Sequence, residues 1–140
     1  MVMKGMIDHI LINCIDRERA LPFYSWLLPK LGFRTQVALP DNPLVVGWIG
    51  RNTNVWLNVA DESLRDQPFD RRRVGLRELA FAADTREEVD EIARGIESHG
   101  GAVIDAPQDY PYWPGYYSVF FTDPDGIKLE VVLNPQHLPK

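Results

Sequence analysis

Gly75-Leu76-Arg77-Glu78-Leu79-Ala80-Phe81-Ala82-Ala83 runs straight into Asp84-Thr85-Arg86-Glu87-Glu88-Val89. The first nine residues are largely apolar, as a short strand buried on at least one face is. The next six carry a helix start. Asp84 or Thr85 caps it, and Glu88 lies three residues after Thr85, the spacing of a capping box, in which hydroxyl and carboxylate each take a free backbone N–H. Val89, Ile92, Ala93 and Ile96 then share one helical face, and His99-Gly100-Gly101 ends the helix. Strands are expected near Ala102 to Ile104, Tyr116 to Thr122 and Ile127 to Leu133, with Asp123-Pro124-Asp125-Gly126 as the turn between the last two. The order is strand, helix, three strands.

Upstream the same order is found once more. Ile7 to Cys14 reads as a strand. Asp16 is an N-cap, with Arg19 where a capping box would need Glu or Gln. Ala20, Phe23, Tyr24, Leu27 and Leu28 recur at helical spacing, with Pro22 early in the helix and Pro29 expected to kink or end it. Leu31-Gly32-Phe33 leads out, and strands follow over about 34–39, 44–49 and 54–59, with turns at Pro40-Asp41-Asn42-Pro43 and Gly50-Arg51-Asn52-Thr53. Three pieces correspond in order: His9-Ile10-Leu11-Ile12 with Glu78-Leu79-Ala80-Phe81, Leu31-Gly32-Phe33 with His99-Gly100-Gly101, and Leu57-Asn58-Val59 with Leu129-Glu130-Val131. The reading is one α+β domain over residues 1–140: a βαβββ module over about 5–60, a polar linker over 61–74, and a second module over about 75–134.

Composition sets the broad class. The chain has 140 residues, 45% hydrophobic and 25% charged, enough for one core without disulfides. A net charge of −5 argues against binding a phosphate backbone, so nucleic acid is not an expected partner. Arg71-Arg72-Arg73 reads as solvated surface, or else as an anion clamp beside a site mouth. Cys14 is the single cysteine, set in an apolar strand as a small hydrophobe. No stretch has signal-peptide or membrane-spanning character, so a cytoplasmic protein is expected.

Asp8-His9-Ile10, Asp16, Phe23-Tyr24 and Leu31-Gly32-Phe33 form one set of motifs. Leu79-Ala80-Phe81-Ala82, Asp84, Val89 and Gly100-Gly101 form a second, and Asp123-Pro124-Asp125-Gly126-Ile127-Lys128-Leu129-Glu130 closes the series. In this order, from Ile7 to about Asn134, the chain resembles the vicinal oxygen chelate proteins, the glyoxalase, bleomycin-resistance and dioxygenase group. The resemblance implies two βαβββ modules forming a partly open, mixed, barrel-like sheet. It says less about reaction, because the fold hosts several chemistries and also binders that catalyse nothing.

Strand alternation selects candidate residues without the family. Ile7, His9, Leu11 and Asn13 share a face of the first strand, and Leu76, Glu78, Ala80 and Ala82 share a face of its counterpart. Lys128, Glu130 and Val132 do so on the last strand, as do Trp56 and Asn58 on the strand that corresponds to it. His9, Asn58, Glu78 and Glu130 are therefore read as four corresponding positions that converge if the modules join these faces. One histidine and two carboxylates suit a divalent ion such as Zn, Ni, Co, Mn or Fe. The resemblance implies the same metal ligands: His9, Glu78 and Glu130. Two departures stand out. Glu78 stands where a histidine is common, which weakens a dioxygenase reading, and Asn58 stands where Glu or Gln is usual.

Tyr110-Pro111-Tyr112-Trp113-Pro114-Gly115-Tyr116-Tyr117 puts a dense aromatic run beside the closing hairpin. Prolines hold such a loop extended and tyrosines add polar tips to apolar surface, which suits a lid over a small ligand. Tyr110, Tyr112, Tyr117, Trp56 and Asn58 are thus expected to contact ligand, and Glu78 or Glu130 to move a proton. The expected activity is a glyoxalase-like, metal-dependent lyase or isomerase working on a small oxygen-bearing substrate through an enolate-like intermediate. The rival is a non-catalytic binding protein of the bleomycin-resistance type. A homodimer is expected, and the sequence leaves open whether the cavity is completed within one chain or across two.

Overall fold

A computed structural model describes residues 3–137, and the side chains of all but residues 35, 43 and 44. The elements are β1 (His9–Cys14), α1 (Arg17–Lys30), β2 (Thr35–Leu39), β3 (Asn42–Ile49), β4 (Asn54–Val59), β5 (Leu79–Ala82), α2 (Arg86–Gly95), β6 (Ala102–Asp109), β7 (Tyr117–Thr122) and β8 (Lys128–Leu133). The chain divides into two compact units, Met1–Gln67 and Pro68–Lys140. Each holds one open, four-stranded mixed sheet, in the order β1-β4-β3-β2 and β5-β8-β7-β6. In both, the first strand runs parallel to the last and the other pairs are antiparallel. The fold is α+β, two βαβββ modules in series.

Local chemistry explains where the helices start and stop. Asp16 accepts the Glu18 N–H at 2.9 Å, and Thr85 and Glu88 form the full capping box. Pro22 is deeper in α1 than its first turn and leaves the Glu18 carbonyl without its usual N–H. Pro29 does not stop the helix outright; one more residue follows, and then the chain reverses. There Gly32 takes φ +87°, its N–H bonds the Pro29 carbonyl at 3.2 Å, and the Phe33 N–H bonds the Leu28 carbonyl at 3.1 Å. After α2 a short 3-10 turn, Glu97–His99, leads to Gly100 at φ +96°, with Gly101 bonded to the Ile96 carbonyl at 3.0 Å. Both exits are the same left-handed cap, and glycine supplies it because it has no Cβ to collide.

Each helix covers one face of its own sheet. In the first unit Ile12, Cys14, Val55 and Leu57 are buried along with Phe23, Tyr24, Leu27 and Leu28 of α1. In the second, Phe81, Val119, Phe121, Leu129 and Val131 are buried along with Val89 and Ile92 of α2. The remaining face of each sheet is the one that alternation assigned to His9, Trp56, Asn58 and Glu130.

Pairing changes three expectations. β5 begins at Leu79, shorter than the apolar run from Gly75. β6 continues to Asp109, well past Ile104, through two register breaks that accommodate Pro107. The third concerns the correspondence between modules. Counting back from the two N-caps makes His9 the counterpart of Glu78. His9 pairs with Asn54, and Leu11 with Trp56, whereas Ala80 pairs with Glu130. Trp56, not Asn58, is therefore the counterpart of Glu130, and Asn58 corresponds to Val132. Sequence order alone could not reveal this, because a two-residue slip keeps every side chain on its own face.

Candidate functional site

Glu130 sits at the centre of the second sheet, between Ala80 of β5 and Phe120 of β7, on the face away from α2. It is 4% exposed, and its Oε1 accepts the Tyr116 hydroxyl at 2.5 Å. Burial pushes the Glu130 carboxyl above the usual carboxylate range, and the hydroxyl bond opposes that rise. The same burial, followed by the shared hydrogen, pushes the Tyr116 phenol well above its ordinary value. Tyr116 is therefore a donor to Glu130 throughout the neutral range.

Lys128 projects from the same strand face two residues away. Its Nζ lies 3.7 Å from Glu78 Oε2 and 4.7 Å from the centroid of the Phe120 ring. Glu78 Oε2 is buried and has no hydrogen-bond donor. Ala80 and Ala82, which share this face on β5, are exposed and leave open floor beside the carboxylates.

The aromatic run forms the loop from β6 to β7. The Tyr110 N–H bonds the Tyr116 carbonyl and the Tyr116 N–H bonds the Trp113 carbonyl, both at 3.0 Å. Tyr110 and Tyr112 stack with ring centroids 5.4 Å apart, and Tyr116 stands edge-on to both. Phe120 abuts Tyr110 at 5.3 Å, joining the loop to the Glu130 face. The Tyr110 hydroxyl is buried without a partner, while Tyr112 and Trp113 are exposed. Tyr117 stands elsewhere. Its hydroxyl donates to Asp90 of α2 at 2.6 Å, and the Arg86 guanidinium covers its ring at 4.4 Å. It lies on the helix side of the sheet, so the tyrosine bonded to Glu130 is Tyr116. The aromatic run contains the tyrosine that bonds Glu130. Choosing between neighbours needed the phase of β7, since adjacent strand residues face opposite ways.

In the first unit His9 is exposed at the start of β1, and its Nδ1 meets Asp8 Oδ1 at 2.7 Å. With Asp8 on Nδ1, Nε2 is the ring nitrogen left to face a ligand. Asn58 donates to Asn13 Oδ1 at 3.1 Å. Trp56 lies flat across its strand neighbour Gly47, where an added Cβ would come within 2.3 Å of the indole. Among the described residues no three His, Cys, Asp or Glu side chains gather as a metal centre. Within the second unit Glu78 and Glu130 offer two carboxylates on one sheet face, the oxygen chemistry a hard divalent ion prefers.

Two other sequence candidates have local roles. Arg72 grips Asp70 with Nε at 3.0 Å and Nη2 at 2.9 Å. His99 Nδ1 meets the Gly95 carbonyl at 2.7 Å, at the C-terminal end of α2. Among the described residues no helix is long and apolar enough to cross a membrane.

Comparison with known proteins agrees with the architecture. The family model of the Glyoxalase/Bleomycin resistance protein/Dioxygenase superfamily matches residues 6–131. The uncharacterized protein YqjT of Bacillus subtilis (strain 168) is 29% identical over 128 residues, 90% of this chain and 97% of that protein. The crystal structure of a candidate glyoxalase from Bacillus halodurans matches with a TM-score of 0.78 at 29% identity, covering 94% of this chain and 97% of the other. Lactoylglutathione lyase from Agrobacterium tumefaciens matches with a TM-score of 0.65 at 23% identity, covering 99% and 100% of the two chains.

Proposed function

This chain belongs to the glyoxalase/bleomycin resistance protein/dioxygenase superfamily, and we propose that it is a glyoxalase-like, metal-dependent lyase or isomerase acting on a small oxygen-bearing substrate. The observation that carries the proposal is the state of Glu78: a carboxylate oxygen buried without a donor, on the face that also holds buried Glu130. Lys128 stands 3.7 Å away, beyond hydrogen-bond distance, so this oxygen still lacks a direct donor, which is costly for a buried carboxylate. His9, Glu78 and Glu130 are the proposed ligands. A bound divalent ion would supply Lewis-acid polarisation of vicinal substrate oxygens.

The chain's own residues supply the rest. Displaced from the metal, Glu130 takes a proton from a substrate carbon and returns it while Tyr116 holds its Oε1. Glu78 is the alternative base. The open floor at Ala80 and Ala82 admits the substrate, and the Tyr110–Tyr112 stack walls it.

The test is metal stoichiometry. After chelation and reloading, about one ion per chain is expected, lost in His9→Ala, Glu78→Gln and Glu130→Gln alike. Failure of the unaltered protein to take up an ion would overturn the proposal. A second reading, a ligand-sequestering protein, is favoured by exposed Tyr112 and Trp113 on the loop rim, which suit an aromatic or cationic ligand. Tight small-molecule binding without turnover would support it. A cytoplasmic homodimer completes the proposal, and light scattering at micromolar concentration tests the dimer.

A further inference from the structure

β6 leaves its regular ladder with β7 twice, between Val103 and Asp105 and again between Asp105 and Gln108. Such breaks bend a strand, and a recess of about 370 Å³ lies between this stretch and α2, on the helix side of the second sheet. That size is at the small end for ligand sites. Its walls are largely apolar: Val103, Ala106 and Pro107 come from β6, and Ala93 of α2 is too short to fill the gap.

The charged groups beside it fall into two sets. Arg86 and Asp109 are already paired. Arg86 grips Asp109 with both terminal nitrogens, one of them at 3.2 Å, while its guanidinium covers the Tyr117 ring. Asp90 and Arg94 line the recess with capacity to spare. Asp90 Oδ1 accepts the Tyr117 hydroxyl at 2.6 Å, and its Oδ2 has no donor among the described residues. Arg94 has neither a hydrogen bond nor an ion pair among the described residues. Their i, i+4 spacing, with the acid first, favours an ion pair on a helix. None forms here, since Tyr117 draws the Asp90 carboxylate toward the sheet.

The recess thus offers a carboxylate oxygen and a guanidinium side by side, each open to a ligand, above an apolar floor. We propose that it is a second binding site, one for a free α-amino acid with an apolar side chain. The ammonium of the amino acid meets Asp90 Oδ2, its carboxylate meets Arg94, and its side chain lies against Val103, Ala106 and Pro107. Charge selects this class. Asp90 and Arg94 cancel, so the site favours a ligand that is neutral overall yet carries both signs. A simple carboxylate is opposed by Asp90, and a simple amine by Arg94. Geometry agrees, because groups one helical turn apart, about 5–6 Å between Cβ atoms, can hold both ends of one small zwitterion. Glu130 lies on the opposite face of the sheet, so the proposal does not depend on the metal reading.

Amide NMR spectra of the metal-free protein, titrated with L-leucine, test it. Saturable shifts are expected at Asp90 to Arg94 and at Val103 to Ala106, with a dissociation constant of about a millimolar or tighter. Isocaproate lacks the ammonium and isopentylamine lacks the carboxylate; each should bind about tenfold more weakly, the scale of one lost hydrogen bond to a charged group. Asp90→Asn and Arg94→Gln should weaken leucine binding by a similar factor, and Asp90→Asn should no longer prefer leucine to isocaproate. Asparagine still accepts the Tyr117 hydroxyl and Arg94 is exposed, so both variants should fold, which their spectra also check. Absence of saturable shifts at these amides overturns the proposal. So does isocaproate matching leucine on the unaltered protein, which would mark a plain anion site, or leucine binding unchanged in both variants.

Discussion

The two modules share caps, helix exits and strand order, yet treat the sheet face away from the helix in opposite ways. In the first, Gly47 faces Trp56, and the indole fills the space a side chain at 47 would need. In the second, the corresponding pair is Phe120 and Glu130. The bulk has moved to the neighbouring strand, and a carboxylate stands where the indole was. Beside it, Leu11 of β1 has Ala80 as its counterpart, so the second module has open floor where the first has a large apolar side chain. A duplicated scaffold thus gives one face filled by aromatic packing and one that offers chemical groups. The lesson is that one sheet topology carries either kind of face, according to which of two adjacent strands bears the bulky side chain.

The strongest way to break this contrast is to remove the polar group from one face and the aromatic from the other. Glu130→Gln should lower metal affinity by about a thousandfold, the scale of losing one first-row ligand, while Trp56→Phe leaves it within about threefold. Equal losses in the two variants, measured by titration calorimetry, would show that the modules divide the work differently.

Packing provides the next test. Gly47→Val places new atoms inside the Trp56 ring, and overpacking of this kind costs about 1–3 kcal/mol. The indole must also move, so its fluorescence maximum should shift. Urea denaturation together with emission spectra checks both, and an unshifted spectrum would deny the flat seat of the indole on the glycine.

A smaller effect follows from Glu130 itself. Folding raises its pKa through burial, so the folded state favours the protonated carboxyl. That contribution is full below the ordinary carboxylate range and is lost as pH rises through the raised value. Glutamine cannot ionise. In metal-free protein Glu130→Gln should therefore be more stable than the unaltered chain at neutral pH. The difference should close on acidification. A constant difference across pH, in denaturation curves, would mean that Glu130 is not desolvated. The first module has no ionisable group at the corresponding position, Trp56, and should show no such slope.

The least expected difference lies in the helix exits. Gly32→Ala and Gly100→Ala each force a Cβ into the left-handed region and should cost about 1 kcal/mol, nearly equally. Thermal melts of the two variants should superpose. A clear gap between them would mean that the modules differ even where their sequences match.

How much of this the sequence held varies with the range of the interaction. Asp16, the Thr85–Glu88 box, the Gly32 and Gly100 exits and the closing turn were all legible, because each depends on residues within one turn of each other. In that turn Asp123 Oδ1 accepts the N–H groups of Asp125 and Ile127, both at 2.9 Å, an arrangement fixed by spacing alone. The face shared by Lys128 and Glu130 was legible too, since alternation has a fixed period. Tertiary structure alone decided which residue stands opposite which. Register put Trp56 rather than Asn58 at the counterpart of Glu130, and strand phase put Tyr116 rather than Tyr117 beside its carboxylate. The physical reason is that helix caps and tight turns are closed by the chain's own neighbours. Strand register is settled between segments far apart in sequence, by which pairing buries the apolar face and fills the space above it.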